Sequence, residues 1–306
     1  MPKRLEVDID GRRLSLSNLD KVFYPETGFT KGQVIDYYTR IAPVLLGHLR
    51  GRPLTLKRYP DGVTGPHFYE KQCPRHRPDW VETASVWSRH NSRTIDFCLC
   101  EDLPTLVWLA NLADLELHTS LALAEDVKAP RIVAFDLDPG PPATIVECAE
   151  VACRLREAFE HLGLESYPKT SGSKGMQVYV PLNTPTTYDV TKPFARALAQ
   201  LLERRHPDLV VSDMKKSLRG GKVLVDWSQN DEHKTTVNVY SLRARERPTV
   251  STPLDWGEVE GVLQTRDPET LAFTSDEVLA RVAERGDLFA PVVELEQEIP
   301  AAFAAS

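Results

Sequence analysis

Cysteine is scarce in this chain, with five among 306 residues, an odd number lacking any C-x-x-C spacing. That argues against a disulfide framework and against a zinc site of paired thiolates. Cys73, Cys98, Cys100, Cys148 and Cys153 are all expected as buried thiols. Long apolar runs are missing too. Nothing approaches the roughly 20 apolar residues that cross a bilayer, and the opening Met1-Pro2-Lys3-Arg4 lacks a signal-peptide core, so a cytoplasmic chain with no membrane partner is expected. Repeats, low-complexity tracts and long linkers are absent. The apolar fraction of 42% and charged fraction of 26% are ordinary, which excludes disordered and fibrous classes.

An overall excess of positive charge is lacking as well, since the net charge is −7. The average conceals an asymmetry. Residues 1–75 hold 13 Lys and Arg against 8 Asp and Glu, or +5, which leaves −12 on the remainder. A second basic stretch, 215–245, carries Lys215, Lys216, Arg219, Lys222, Lys234, Arg243 and Arg245 against Asp226, Asp231 and Glu232. Local fields matter more than the sum when the ligand is an anion.

What is present centres on Arg131–Gly140. An apolar run of strand length, Ile132-Val133-Ala134-Phe135, ends in Asp136-Leu137-Asp138, and Pro139-Gly140 stops it. Side chains alternate along a strand, so the two carboxylates share a face about 7 Å apart at the backbone. Two anions so close repel unless cations lie between them, and hard divalent ions with oxygen ligands are the common solution. Asp226 ends a second apolar run, Lys222–Trp227. Three carboxylates on neighbouring strands can hold two divalent ions about 4 Å apart, which suits activation of a hydroxyl and release of pyrophosphate. The loop Thr170–Gly175 offers backbone N–H groups, the Ser171 and Ser173 hydroxyls and the Lys174 ammonium to phosphate oxygens.

Around these motifs, Thr30 is read as the cap of a helix over Lys31–Arg50, with Val34, Tyr38, Ile41, Leu45 and Leu49 facing the core. Strands are expected at Leu54–Arg58, near Trp80–Trp87 and Arg93–Leu99 as an antiparallel pair, at Met176–Leu182 and around Thr235–Tyr240. Helices are expected at Pro104–Leu112, Thr144–Leu162 and 191–205, the last capped by Thr191, and Thr274–Glu277 reads as a capping box. Of the adjacent Phe68 and Tyr69, at most one is expected to be free to stack on a ligand. Strands and helices alternate without strict βαβ order, which indicates α/β or α+β with a mixed sheet.

Phe135–Gly140, Thr170–Gly175 and Ser217–Asn230 resemble, in order and spacing, the three motifs of the polymerase domain of bacterial ligase D, within the archaeo-eukaryotic primase superfamily. The resemblance runs from Leu16 to about Phe289. It implies a primase-polymerase fold, with mixed central sheets, an RRM-like catalytic lobe and an N-terminal α/β lobe. One catalytic domain over 1–306 is expected, divided into lobes at about 1–130 and 131–250 and a helical tail at 251–306. The resemblance makes Asp136, Asp138 and Asp226 the metal-binding acids. It gives the incoming nucleotide to Lys57, His118, Ser171, Ser173, Lys174, Arg219, Gln229 and Arg243, with Tyr69 and Phe68 stacking on its base. Lys21 and Lys31 match a pocket for the 5′-phosphate downstream of a gap.

The implied cofactors are two divalent metal ions, with Mn2+ preferred and Mg2+ as the alternative. The implied partners are nucleoside triphosphates, ribonucleotides among them, gapped or end-containing duplex DNA, and a separate ligase or end-binding protein at the nucleoid. Because the sequence stops without a ligase or nuclease segment, it resembles a stand-alone member. One position departs from the pattern: after Lys174-Gly175-Met176 the family has histidine, and here Gln177 stands, counted with the nucleotide-binding residues because it can donate a hydrogen bond to a phosphate, although it cannot become cationic. Competing readings are a non-catalytic DNA gap or end binder and an aspartate-nucleophile phosphohydrolase.

Overall fold

The computed structural model describes residues 4–88 and 92–304, the side chains of 302 and 304 excepted. The opening Met1–Lys3, part of the reading of the N-terminus, lies outside the described residues. The first elements are β1 (Arg4–Ile9), β2 (Arg12–Ser17), β3 (Val22–Tyr24), β4 (Phe29–Thr30), α1 (Lys31–Leu49), β5 (Leu54–Arg58), β6 (Phe68–Glu70), β7 (Thr83–Ser88) and β8 (Arg93–Cys98). Then come α2 (Leu103–Asn111), β9 (Asp114–Thr119), β10 (Ile132–Pro139), α3 (Ile145–His161), β11 (Tyr167–Thr170), β12 (Met176–Pro181), α4 (Tyr188–Arg205) and β13 (Val210–Val211). The chain closes with β14 (Val223–Asp226), β15 (Thr236–Val237), α5 (Trp256–Thr265), α6 (Ser275–Arg285), α7 (Pro291–Glu294) and α8 (Ala301–Ala304). No described helix is long and apolar enough to cross a membrane.

Two compact units share the chain. The first takes Met1–Ser120, Val237–Val250 and Thr274–Asp287, and the second takes Leu121–Thr236, Ser251–Phe273 and Leu288–Ser306. In the first, a sheet of order β15-β9-β5-β8-β7, with β6 also on β5, is joined by α1 and α2. Thr30 caps α1 in a full capping box with Gln33, and Val34, Tyr38, Ile41, Leu45 and Leu49 are all fully buried, as their spacing requires. The Tyr37 and Tyr38 hydroxyls donate to Tyr240 O and Leu115 O, so neither buried phenol is left unpaired.

In the second unit the order is β11-β12-β10-β14-β13, antiparallel throughout except for β13 against β14. Val133, Phe135 and Leu137 join the core formed with Val151, Leu155 and Phe159 of α3, and the Phe135 and Phe159 rings lie 5.3 Å apart. Burying such side chains contributes roughly 1.5–3 kcal/mol each. Alternation then sends Asp136 and Asp138 to the opposite face. Buried Asn230 extends the ladder beyond β14, since its side chain accepts from Ala134 N and donates to Ala134 O.

Several expectations change. Cys73 and Cys98 form a disulfide, leaving Cys100, Cys148 and Cys153 as thiols. Cys73 N donates to Asp96 O, which lays residue 73 alongside β8 and brings the two Cα atoms to 5.0 Å. Helix α4 starts a turn earlier than expected, at cap Thr187, so Thr191 and Pro193 lie within it. Thr191-x-Pro193 has the composition of a helix start, and packing overrides it. The strand around Thr235–Tyr240 shrinks to β15, and Tyr240 turns left-handed with φ 62°.

Candidate active site

Within the second unit, three backbone approaches gather the motifs at one end of its sheet. Asp136 sits directly across from Asp226 in the β10–β14 register. A Cβ on Gly140 would fall 1.9 Å from Arg219 O, and one on Gly175 would fall 2.0 Å from Leu137 O. Only glycine permits either contact. The first locks the turn after β10 to the turn before β14, with Gly140 N donating to Lys222 O and Gly221 N to Gly140 O. The second presses the loop after β11 against the strand segment between Asp136 and Asp138.

Each acid is held differently. Asp226 is buried and caps a 3-10 turn: its Oδ1 accepts from Ser228 N and Oγ at 2.9 and 2.6 Å, and its Oδ2 accepts from Gln229 Nε2 at 3.0 Å. Asp136 Oδ1 accepts from Gln177 Nε2 at 3.0 Å, while the Tyr179 hydroxyl stands 3.3 Å from Gln177 Oε1. Asp138 is exposed. Burial first, then the Asp138 charge, push the Asp136 carboxyl up to about 7; Asp226 adds to this, and the Gln177 bond and the Lys169 charge oppose it. Lys169, fully buried, donates to Ser251 Oγ at 2.6 Å and lies over the Tyr179 ring. Neither Lys169 nor Tyr179 was singled out from sequence, since an apolar-looking strand gives no hint of a cation behind it.

The loop is shaped by its own serine. Ser171 Oγ accepts from Ser173 N and Gly175 N, and Ser171 N donates to Gly175 O, while the Ser173 and Lys174 side chains stay exposed. Arg219 Nη2 donates to Met214 O, and its Nε is buried with no hydrogen-bond partner.

The first unit holds the remaining candidates. Lys57 and Arg58 on β5 face Tyr69 and Phe68 on β6 in register. Both rings are exposed, at 58% for Tyr69 and 44% for Phe68, which corrects the expectation that at most one would be free. The strand that carries them is three residues long and pairs with β5 alone. Lys57 Nζ lies 5.5 Å from the Tyr69 ring centre, Arg58 lies over Phe68, and the His118 ring meets Tyr69 edge-on at 5.9 Å. Lys57, His118 and Arg243 all attach to Glu116, a buried acid that the sequence reading passed over. A signal was available: Asp114, Glu116 and His118 recur at every second position of an otherwise apolar strand.

Lys21 and Lys31 already have protein partners. Lys21 Nζ lies 2.6 Å from both Asp61 Oδ1 and Pro60 O, while Lys31, buried, donates to Ser17 O and Asn111 Oδ1. Burial and the Lys21 charge push the Lys31 ammonium down to about 8.

The family model for the LigD primase-polymerase domain matches residues 30–289. The chain belongs to this family. The multifunctional non-homologous end joining protein LigD of Mycolicibacterium smegmatis is 46% identical over 283 residues, which cover 92% of this chain and 36% of that protein. The bifunctional LigD of Bacillus subtilis is 31% identical over 289 residues, 94% of this chain and 45% of that protein. Among solved structures, the polymerase domain from Mycobacterium tuberculosis ligase D in complex with DNA superposes with a TM-score of 0.85 at 40% identity, covering 93% of this chain and 99% of that one. The chain thus spans 36% of the length of the first of these relatives. Membership in the LigD primase-polymerase family bears out the mixed α/β primase-polymerase fold and removes the phosphohydrolase alternative.

Proposed function

We propose that the chain is a nucleotidyltransferase of DNA repair that adds nucleotides, ribonucleotides included, to a 3′ primer terminus at short gaps or broken ends. The observation that carries this reading is the juxtaposition, at one end of one sheet, of three carboxylates, a small-residue loop ending in Lys174 and Gly175, and Arg219 with a buried unpaired Nε. Carboxylates alone repel a triphosphate; next to donors they suit one that arrives with divalent cations. The DNA bound by the solved M. tuberculosis relative supports the same substrate class here.

The residues fit two divalent ions, with Mn2+ favoured. The donors are hard oxygens, and burial first, then the Asp138 and Asp226 charges, push Asp136 up to about 7 against the opposing Lys169 charge. Among the described residues no three His, Cys, Asp or Glu side chains form a ready-made cage. That suits ions whose shells are completed by substrate phosphates and water, the usual arrangement for small hard cations. Asp136, Asp138 and Asp226 would hold them, and when bound they supply Lewis-acid stabilisation of the attacking and leaving oxygens.

The chain's own residues do the positioning. Ser228 and Gln229 fix both Asp226 oxygens, and Gln177 fixes one oxygen of Asp136. Ser173, Lys174 and Arg219 offer donors to the triphosphate; Tyr69 and Phe68 offer exposed faces to a base. Lys21 and Lys31 contribute positive charge toward a downstream 5′-phosphate, with a ligase or end-binding protein acting alongside at the nucleoid. Extension of a short-gapped, 5′-phosphorylated duplex, with each nucleotide type and with Mn2+ or Mg2+, tests the reading. Absence of any incorporation with either metal would overturn it in favour of a non-catalytic gap binder.

A further inference from the structure

Glu116 is only 2% exposed, and its two oxygens have separate duties. Oε1 is tied to the scaffold, accepting from the Tyr59 hydroxyl at 3.2 Å and from Ala244 N at 3.0 Å. Around Oε2 gather Lys57 Nζ at 3.1 Å, His118 Nε2 at 3.1 Å and Arg243 Nε at 3.2 Å. These three side chains come from β5, from β9 and from the segment after β15. We propose that Glu116 is a positioning residue for the incoming nucleoside triphosphate, fixing Lys57, His118 and Arg243 as one array of donors beside the exposed Tyr69. The assignment rests on the functional reading above and gives that reading a residue it did not contain.

Three physical points support it. Lysine and arginine side chains lose much rotamer freedom when they bind an anion, and an array already fixed by folding does not lose it again at the binding step. Charge is the second. Burial lowers the His118 pKa, reinforced by Arg243 and Lys57 and opposed by Glu116, so the ring stays neutral near pH 7. One carboxylate then faces one lysine and one arginine, and a single positive charge is left for the ligand. Burial alone would raise the Glu116 pKa, but the hydrogen bond from His118 and the Arg243 and Lys57 charges hold it well below the usual carboxylate range. The third point is the imidazole tautomer. A neutral ring whose Nε2–H is donated to a carboxylate keeps Nδ1 as an acceptor, so Glu116 also fixes which hydrogen bond His118 has to offer.

The test is Glu116→Gln in the full chain. It reads equilibrium binding of a non-hydrolysable triphosphate in the presence of Mn2+ and gapped duplex, the KM and kcat of extension, and DNA affinity. The triphosphate Kd and KM should rise on the order of 10–100-fold, with kcat at saturation changed by less than about threefold and DNA affinity kept. In a background already carrying Lys57→Ala and Arg243→Ala, the same substitution should add less than about twofold. Should the glutamine variant not fold, Tyr59→Phe removes one bond to Oε1 while keeping the ring, and a rise of about 3–10-fold in Kd is expected. A folded variant whose triphosphate Kd stays within about twofold of wild type, or an equal loss in both backgrounds, overturns the assignment. Wild-type incorporation beside an unaffected Glu116→Gln would sink this inference alone, whereas a wild type that binds no triphosphate removes the functional reading and this assignment with it.

Discussion

Gly175→Ala isolates the contact that joins the Thr170–Gly175 loop to the acid-bearing strand. Gly175 does not have a left-handed backbone, so alanine costs nothing in conformation and the whole effect is steric. The added Cβ would sit 2.0 Å from Leu137 O and 3.2 Å from Leu137 C, whereas real Cβ contacts essentially never fall below 3.0 Å. Loop and strand must therefore separate by about 1 Å, and since β10 is paired on both sides, the loop is what moves. Overpacking of this kind costs about 1–3 kcal/mol, or about 2–5 °C in melting temperature for a chain of this length. A misplacement near 1 Å at a reacting centre costs about 100-fold in rate. Melting and single-turnover incorporation on a gapped duplex measure the two effects. Gly163→Ala is the control: its φ is +70° and no atom lies within 4 Å, so it should lose stability through backbone strain while keeping the rate. A Gly175→Ala enzyme within about threefold of the wild-type rate would refute the claim that this contact sets the site.

Other perturbations probe the same frame. Asp226→Asn should reduce incorporation below detection while DNA affinity stays level or rises, because an anion beside phosphate is removed; measurable extension by this variant would remove Asp226 from the metal-binding set. Gln177→Ala deprives Asp136 of its 3.0 Å donor and should lower kcat more than it raises nucleotide KM, the reverse of the Glu116 pattern; a pure KM effect would place Gln177 on the nucleotide instead. Lys31, pushed down to about 8 from an ordinary 10.5, makes the folded chain hold fewer protons than the unfolded one between those values. Its contribution to stability therefore rises with pH over that window, and the urea midpoint of wild type relative to Lys31→Met should climb from about pH 8 to 10.5 and be flat below; a difference that falls instead would contradict the burial of this lysine.

Local pattern made much of this fold legible before any coordinates. The α1 stripe, the capping box at Thr274 and the alternation of β10 are short-range signals, and each appears where the spacing places it. Long-range contacts were not legible. Cys73 reaches Cys98 only because a loop backbone docks on β8, and nothing in the spacing of the two residues reports that. The hydrogen bond from Gln177 to Asp136 was equally hidden: the residue was marked as a departure from a family pattern, yet its partner follows only from β10 and β12 pairing in that register. The resemblance gives Lys21 and Lys31 to a pocket for a 5′-phosphate, and it does not report that Lys31 is buried against Ser17 and Asn111.

The two units resolve the same electrostatic problem in opposite ways. Strand β9 carries Asp114 and Glu116 at i and i+2, alternating with buried Leu115 and Leu117, and β10 carries Asp136 and Asp138 at the same spacing after the buried apolar run Ile132–Phe135. In β9 the protein supplies the compensation: cations and His118 hold Glu116 ionised, while burial raises Asp114 well above the usual range although Lys57 N bonds its Oδ1. That set of charges is complete within the unit. On β10 Asp136 meets the neutral Gln177 amide, and Asp226 across from it on β14 meets the Gln229 amide, the Ser228 hydroxyl and the Ser228 N–H; Asp136 is raised despite the Lys169 charge behind it. Folding an acidic cluster without enough positive charge costs stability, and a chain that retains such a cluster at a sheet end gains from it only when cations arrive from outside. In the function proposed above, the second arrangement is the one that divalent cations would complete.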